Sequence, residues 1–111
     1  MSGASDTRVV TVQEIQVLAG REAEFVARFR DLDIFGAVAA AAGDELEDAI
    51  VLQAGDRFRV VTTWASRAGI EAWLESDARV WVFRELGPFY AEEPHADEFS
   101  ICETYQAREV A

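Results

Sequence analysis

Apolar and polar positions alternate along residues 8–17, RVVTVQEIQV. Val9, Thr11, Gln13, Ile15 and Val17 fall on one side, Val10, Val12, Glu14 and Gln16 on the other. A period of two with many β-branched residues predicts a strand, and Ala19-Gly20 breaks it. The period then lengthens. Phe25, Val26, Phe29 and Leu32 recur at helical spacing, with Arg28 and Arg30 off the stripe. Glu22 and Glu24 lie in the first turn, where the helix dipole favours acids. The stretch 31–36 is expected to kink or end this helix, the alanine run continues or restarts it, and Gly43 caps it. Strands follow at 48–53 and 57–65 around an Ala-Gly-Asp hairpin turn at 54–56. Ser66 is the N-cap expected for a second helix bearing Ile70, Trp73 and Leu74, with further helical turns through ARVWVFREL until Gly87-Pro88. The segment YAEEPHADE reads as a polar loop, and 98–106 as the last strand.

The order β-α-β-β-α-β predicts an α+β ferredoxin-like fold: a four-stranded antiparallel sheet with both helices on one face. Residues 1–7 are expected to be a flexible amino-terminus, 8–106 the domain and 107–111 a tail. A sheet covered on one side should turn polar on the other. Here both faces of the third and last strands carry apolar residues, so the uncovered face is expected to meet a second copy of the chain.

Composition narrows the class. The chain has 111 residues, half of them hydrophobic, enough for one modest core. Ten basic residues against 21 acidic give a net charge of −11, and the arginines are dispersed, which argues against nucleic acid and anionic membrane as partners. The ten-residue run IFGAVAAAAG is about half a membrane span. MSGASDT lacks the features of a signal peptide, and Cys102 is the only cysteine, so a cytoplasmic protein without disulfides or a metal centre is expected. The chain has neither lysine nor asparagine, which removes a Schiff-base amine and one amide donor. DLDIFG fails as a calcium loop, with Phe35 and Ala42 at ligand positions.

The strand-to-helix stretch VVTTWASRAGIEAWLESD, with a strand ending in tryptophan and then a serine-capped helix, resembles the antibiotic biosynthesis monooxygenase domains. The resemblance spans about residues 8–106. It implies a homodimeric α/β barrel built sheet to sheet, each protomer holding a pocket for a small aromatic molecule. It further implies a cofactor-independent monooxygenase of secondary metabolism that oxidises a polycyclic polyketide of anthrone or phenol type, without metal, flavin or haem. A polyketide cyclase of the same fold, or a non-catalytic binding or assembly subunit, are the alternatives. The oxidising members use an asparagine near the tryptophan, and many relatives a histidine near SDARVW; this chain has neither.

The residues that could carry such chemistry each have a structural alternative. Trp64 either packs the core or walls the pocket, where an indole stacks on planar rings and donates one hydrogen bond. Trp73 reads as core, and Trp81 as a pocket mouth or dimer contact. His95, the only histidine, is an exposed loop residue or a general acid/base. Glu14 is either half of an ion pair with Arg59 at the dimer interface or a buried acid usable as a base. Tyr90 and Phe89 follow Pro88 and could line the same cavity. The expected catalytic set is His95, Glu14 and Tyr90; the expected binding set is Trp64, Trp81, Phe35, Phe89 and Arg59.

Overall fold

A computed structural model of the chain describes residues 7–105. β1 (Val9–Gln16) leads through α1 (Glu22–Asp31) and α2 (Ile34–Ala42) to β2 (Leu46–Ala54) and β3 (Arg57–Trp64). Then come α3 (Arg67–Leu74), α4 (Asp77–Leu86) and β4 (His95–Ser100). The sheet is antiparallel, in the order β2-β3-β1-β4. This is the expected ferredoxin-like α+β arrangement, with each helical crossover broken into two helices.

The breaks have local causes. Asp33 sits in the left-handed region at φ 49°, ψ 56°, which ends α1 and redirects the chain into α2. A short polar side chain tolerates that conformation better than most. Gly43 closes α2 at φ 67°, and Gly55 turns the β2–β3 hairpin at φ 65°. Ser66 caps α3 by accepting from the Ala68 N–H, and Ser76 caps α4 by accepting from the Arg79 N–H at 3.2 Å. Each cap satisfies a backbone donor that the first helical turn leaves free.

The core lies between the sheet and the helices. Phe25 of α1, fully buried, meets Phe58 of β3 at 4.9 Å between ring centroids and Phe89 at 5.9 Å. Ile15, Val17, Ile34, Val38, Ile70 and Leu86 complete it. Strand register assigns the faces. Phe58, Val60, Thr62 and Trp64 are buried and stand opposite Ile15, Gln13, Thr11 and Val9. On the other face lie Val10, Val12 and Glu14 of β1, Ile50 and Leu52 of β2, Arg59 and Val61 of β3, and Phe99 of β4. Ile50, Leu52 and Phe99 are about half exposed there, at 48%, 46% and 50%.

The last strand differs from expectation. It starts at His95 rather than 98 and ends at Ser100, and residues 101–105 carry no regular structure. His95 is therefore not in the acidic loop but in the ladder, opposite Glu14. Pairing with β1 supplies the hydrogen bonds that make a strand of a mostly polar segment in which only Phe99 has high strand propensity. The remainder of the expected strand, Gln106, and the amino- and carboxy-terminal segments 1–6 and 107–111 lie outside the described residues. No helix among the described residues is long and apolar enough to cross a membrane.

Candidate functional site

A cavity of about 270 Å³ lies between the covered face of β1, β3 and β4 and the helices α2, α3 and α4. Its sheet wall is Thr11, Gln13 and Ile15 of β1, with Val60, Thr62 and Trp64 of β3. Its helix wall includes Phe35, Val38, Trp73 and Phe83. Tyr90 stands beyond Ile15, and Arg79, Glu93 and Glu98 belong to the same lining. The step from Thr11 to Ile15 along β1 is about 13 Å at the rise of a strand. The cavity thus extends along β1 and is mostly apolar, with a few polar groups in its lining, which is the character of small-molecule sites.

At one end the indole N–H of Trp64 donates to Thr62 Oγ1 at 3.1 Å and to Thr11 Oγ1 at 3.2 Å, and the two threonine hydroxyls bond to each other. Trp64 is only 2% exposed. Its position depends on Gly69: a Cβ there would come within 3.1 Å of the indole and 2.4 Å of the Glu45 Cβ. The glycine lets the first turn of α3 lie directly on the ring, while the Ala65 N–H bonds the Glu45 carbonyl at 2.7 Å.

At the other end Tyr90 is fixed through the backbone. It forms a bridge with Val17, flanked by Leu18 N–H to the Phe89 carbonyl and Ala91 N–H to the Gln16 carbonyl at 2.9 and 2.7 Å. Its ring meets Phe83 edge-on at 6.4 Å, and Arg79 lies over Phe83 at 5.2 Å. Burial raises the Tyr90 phenol from 10.0 to about 12, because desolvation penalises the phenolate. At neutral pH the Tyr90 phenol is therefore protonated and able to donate a hydrogen bond.

The structure divides the expected site residues among the cavity, the core and the open face of the sheet. Trp64, Tyr90 and Phe35 meet at the cavity. Phe35 also walls a second cavity of about 360 Å³ between α1, α2 and the β2–β3 hairpin, where Arg30, Asp33 and Gln53 are the polar residues. Phe89 is buried against Phe25, with Arg21 over its ring at 4.8 Å. Trp81 packs, half-buried, against the core. Glu14, Arg59 and His95 are on the opposite face of the sheet. Arg59 pairs with Glu14 at 3.2 Å and His95 with Asp97 at 3.1 Å, all of them exposed. Trp73, expected in the core, packs against it and lines the cavity as well.

Thr11, Gln13, Thr62 and Arg79 were not singled out by the sequence, although a signal for two of them was there. Thr11 and Gln13 interrupt the side of the first strand that Val9, Ile15 and Val17 make apolar. Polar residues on a buried face call for a partner or a cavity.

A family model described as antibiotic biosynthesis monooxygenase matches residues 8–80. No curated protein sequence matches the chain. Among solved structures, a candidate antibiotic biosynthesis monooxygenase from Caulobacter crescentus is 19% identical, with a TM-score of 0.74 over 88% of this chain and 92% of that one. A protein from Bordetella bronchiseptica of the same description is 17% identical, with a TM-score of 0.75 over 87% of this chain and 99% of that one. SnoaB, a cofactor-independent oxygenase from Streptomyces nogalater, is 14% identical, with a TM-score of 0.73 over 91% of this chain and 97% of that one. At these identities the likeness is one of fold.

Proposed function

The chain belongs to the antibiotic biosynthesis monooxygenase family, and from that premise we propose that it is a cofactor-independent monooxygenase for a fused-ring aromatic substrate of the anthrone or phenol type. The carrying observation is the long aromatic-walled cavity with Trp64 and its threonines at one end and Tyr90 at the other. Its aromatic walls suit a planar ligand, and its oxygen and nitrogen atoms suit a ligand with oxygen at its edges. In such a reaction an anthrone methylene loses a proton, the delocalised carbanion gives up an electron to dioxygen, and one oxygen atom enters the ring carbon. The other oxygen leaves as water with the two methylene hydrogens. The chain contributes an apolar enclosure that shields the carbanion from solvent, and neutral donors that stabilise the ring oxygen as charge builds on it. Tyr90 serves as such a donor. Glu93 belongs to the cavity lining, is exposed and has no ion pair among the described residues, which supports it as the acceptor of that proton.

The same proposal assigns Glu14 and Arg59 a structural role. They lie among the exposed Ile50, Leu52 and Phe99, a mixed face suited to a second copy packed sheet to sheet. Sedimentation should find a dimer at micromolar concentration. Leu52→Glu together with Phe99→Glu should give a folded monomer, and a wild type that is already monomeric would remove the barrel.

The first test is oxygen uptake with anthrone in an electrode cell, corrected for spontaneous oxidation. Enzyme-dependent uptake of one dioxygen per quinone formed is the expected result. No enzyme-dependent uptake with anthrone, together with ring closure of an open-chain poly-β-ketone, would replace the oxygenase by a cyclase. Saturable binding with no conversion would leave a binding subunit. That last reading has one observation in its favour: the cavity lining contains no histidine.

A further inference from the structure

Proton counting at the Trp64 end shows a donor without an acceptor. A threonine hydroxyl has one proton and two acceptor sites, and an indole has one proton and none. The indole proton is shared between the two threonine oxygens, and one hydroxyl proton is used in the Thr11–Thr62 bond. The other hydroxyl proton has no acceptor among the described residues. Thr62 is 7% exposed and Thr11 only half-buried, and both line the cavity. The free proton is accommodated best when Thr62 donates to Thr11, so that Thr11 accepts twice and directs its own proton to the cavity. Accepting two hydrogen bonds polarises that O–H and makes it a stronger donor. Two residues along the same strand face is Gln13, whose side-chain amide is unpaired among the described residues and lines the same wall.

We infer that Thr11, supported by Thr62 and Trp64, is the donor that binds an aromatic ligand's carbonyl or phenolate oxygen, with Gln13 beside it. The inference rests on the aromatic-substrate reading above and adds its specificity element. The donors at this end are neutral, and Glu93 and Glu98 outnumber Arg79 in the same lining. The favoured ligand is therefore a ketone or a single phenolate, and rings that carry a further carboxylate are disfavoured.

Two ligands that differ by one carbonyl oxygen, anthrone and 9,10-dihydroanthracene, test this under anaerobic conditions, with binding followed by tryptophan fluorescence. The wild type should prefer anthrone by about tenfold, the scale of one hydrogen bond. Thr11→Val should abolish that preference and leave dihydroanthracene binding unchanged. Thr11→Ser should restore it, which a purely structural role for the hydroxyl would not require. Retention of the preference in Thr11→Val, or its absence in the wild type, overturns the inference while the aromatic reading stands. A wild type that holds neither ligand sinks both.

Discussion

β1 presents two faces of similar composition with different fates. Towards the helices it offers Val9, Thr11, Gln13 and Ile15; away from them, Val10, Val12, Glu14 and Gln16. Under the helices the polar groups are bonded or face the cavity, as with the Thr11–Thr62–Trp64 array and Gln13. On the open face the apolar groups remain in contact with solvent, with Leu52 and Phe99 about half exposed, and the charged groups pair in water, Glu14 with Arg59 and His95 with Asp97. Polarity of a residue therefore does not say which face works on a ligand. What covers the face does.

The covered face should be the more sensitive to mutation. Phe58→Ala removes a ring that is 1% exposed and packed on Phe25, and should cost about 3–5 kcal/mol in chemical denaturation. Ile50→Ala on the open face, 48% exposed and measured in the monomeric Leu52→Glu, Phe99→Glu background, should cost well under half of that. Equal costs would mean that the two faces are not distinguished by burial within one chain.

The second effect is a pH dependence set by Tyr90. Its phenol ionises at about 12 when folded and near 10 when unfolded. Between those values the unfolded chain has lost the proton and the folded one has kept it, so stability falls as pH rises from 10 towards 12. The loss attributable to this group is about 2–3 kcal/mol. Tyr90→Phe should flatten that part of the profile. A wild-type profile already flat from pH 10 to 12 would mean that the phenol is solvated.

Gly69→Ala comes next. The added methyl meets Glu45 and the Trp64 ring, and neither can move freely, because the Glu45 carbonyl holds Ala65 and the Trp64 N–H holds two threonines. Overpacking of this kind costs about 1–3 kcal/mol. The tryptophan emission should shift as well, since the ring is pushed within its array. An unshifted spectrum with unchanged stability would show that α3 does not lie on the indole as described.

The sequence made the frame legible because its signals are local. Period two at residues 8–17, the Ala-Gly-Asp turn, Ser66 as a cap and the break near Asp33 each depend on a few neighbouring residues. β4 was misplaced for the opposite reason: its start at His95 depends on a ladder with residues some eighty positions earlier. The candidate site was legible in some of its residue types and not in their grouping. Trp64 and Tyr90 are conspicuous as aromatics, but Glu14 and Gln13 are adjacent in sequence, and only the register on β3 decides that Gln13 belongs to the cavity and Glu14 to the open face. Trp73 shares an apolar stripe with Ile70, and a stripe looks the same whether it faces packed side chains or a cavity wall.

The smallest effect sharpens the contrast most. Glu14 and Arg59 are 53% and 59% exposed in one chain, so their ion pair is screened and should contribute less than about 1 kcal/mol. In the monomeric Leu52→Glu, Phe99→Glu background, Glu14→Gln should therefore be nearly silent in stability. In the wild type, a second sheet on this face would take Arg59 out of water, and losing its carboxylate would leave an uncompensated covered charge, which costs more than the pair itself contributes. Glu14→Gln should then weaken the dimer measurably while leaving anthrone affinity unchanged, because the sheet separates it from the cavity. A drop in anthrone affinity in the monomeric background would place Glu14 in communication with the cavity and remove the division between the two faces.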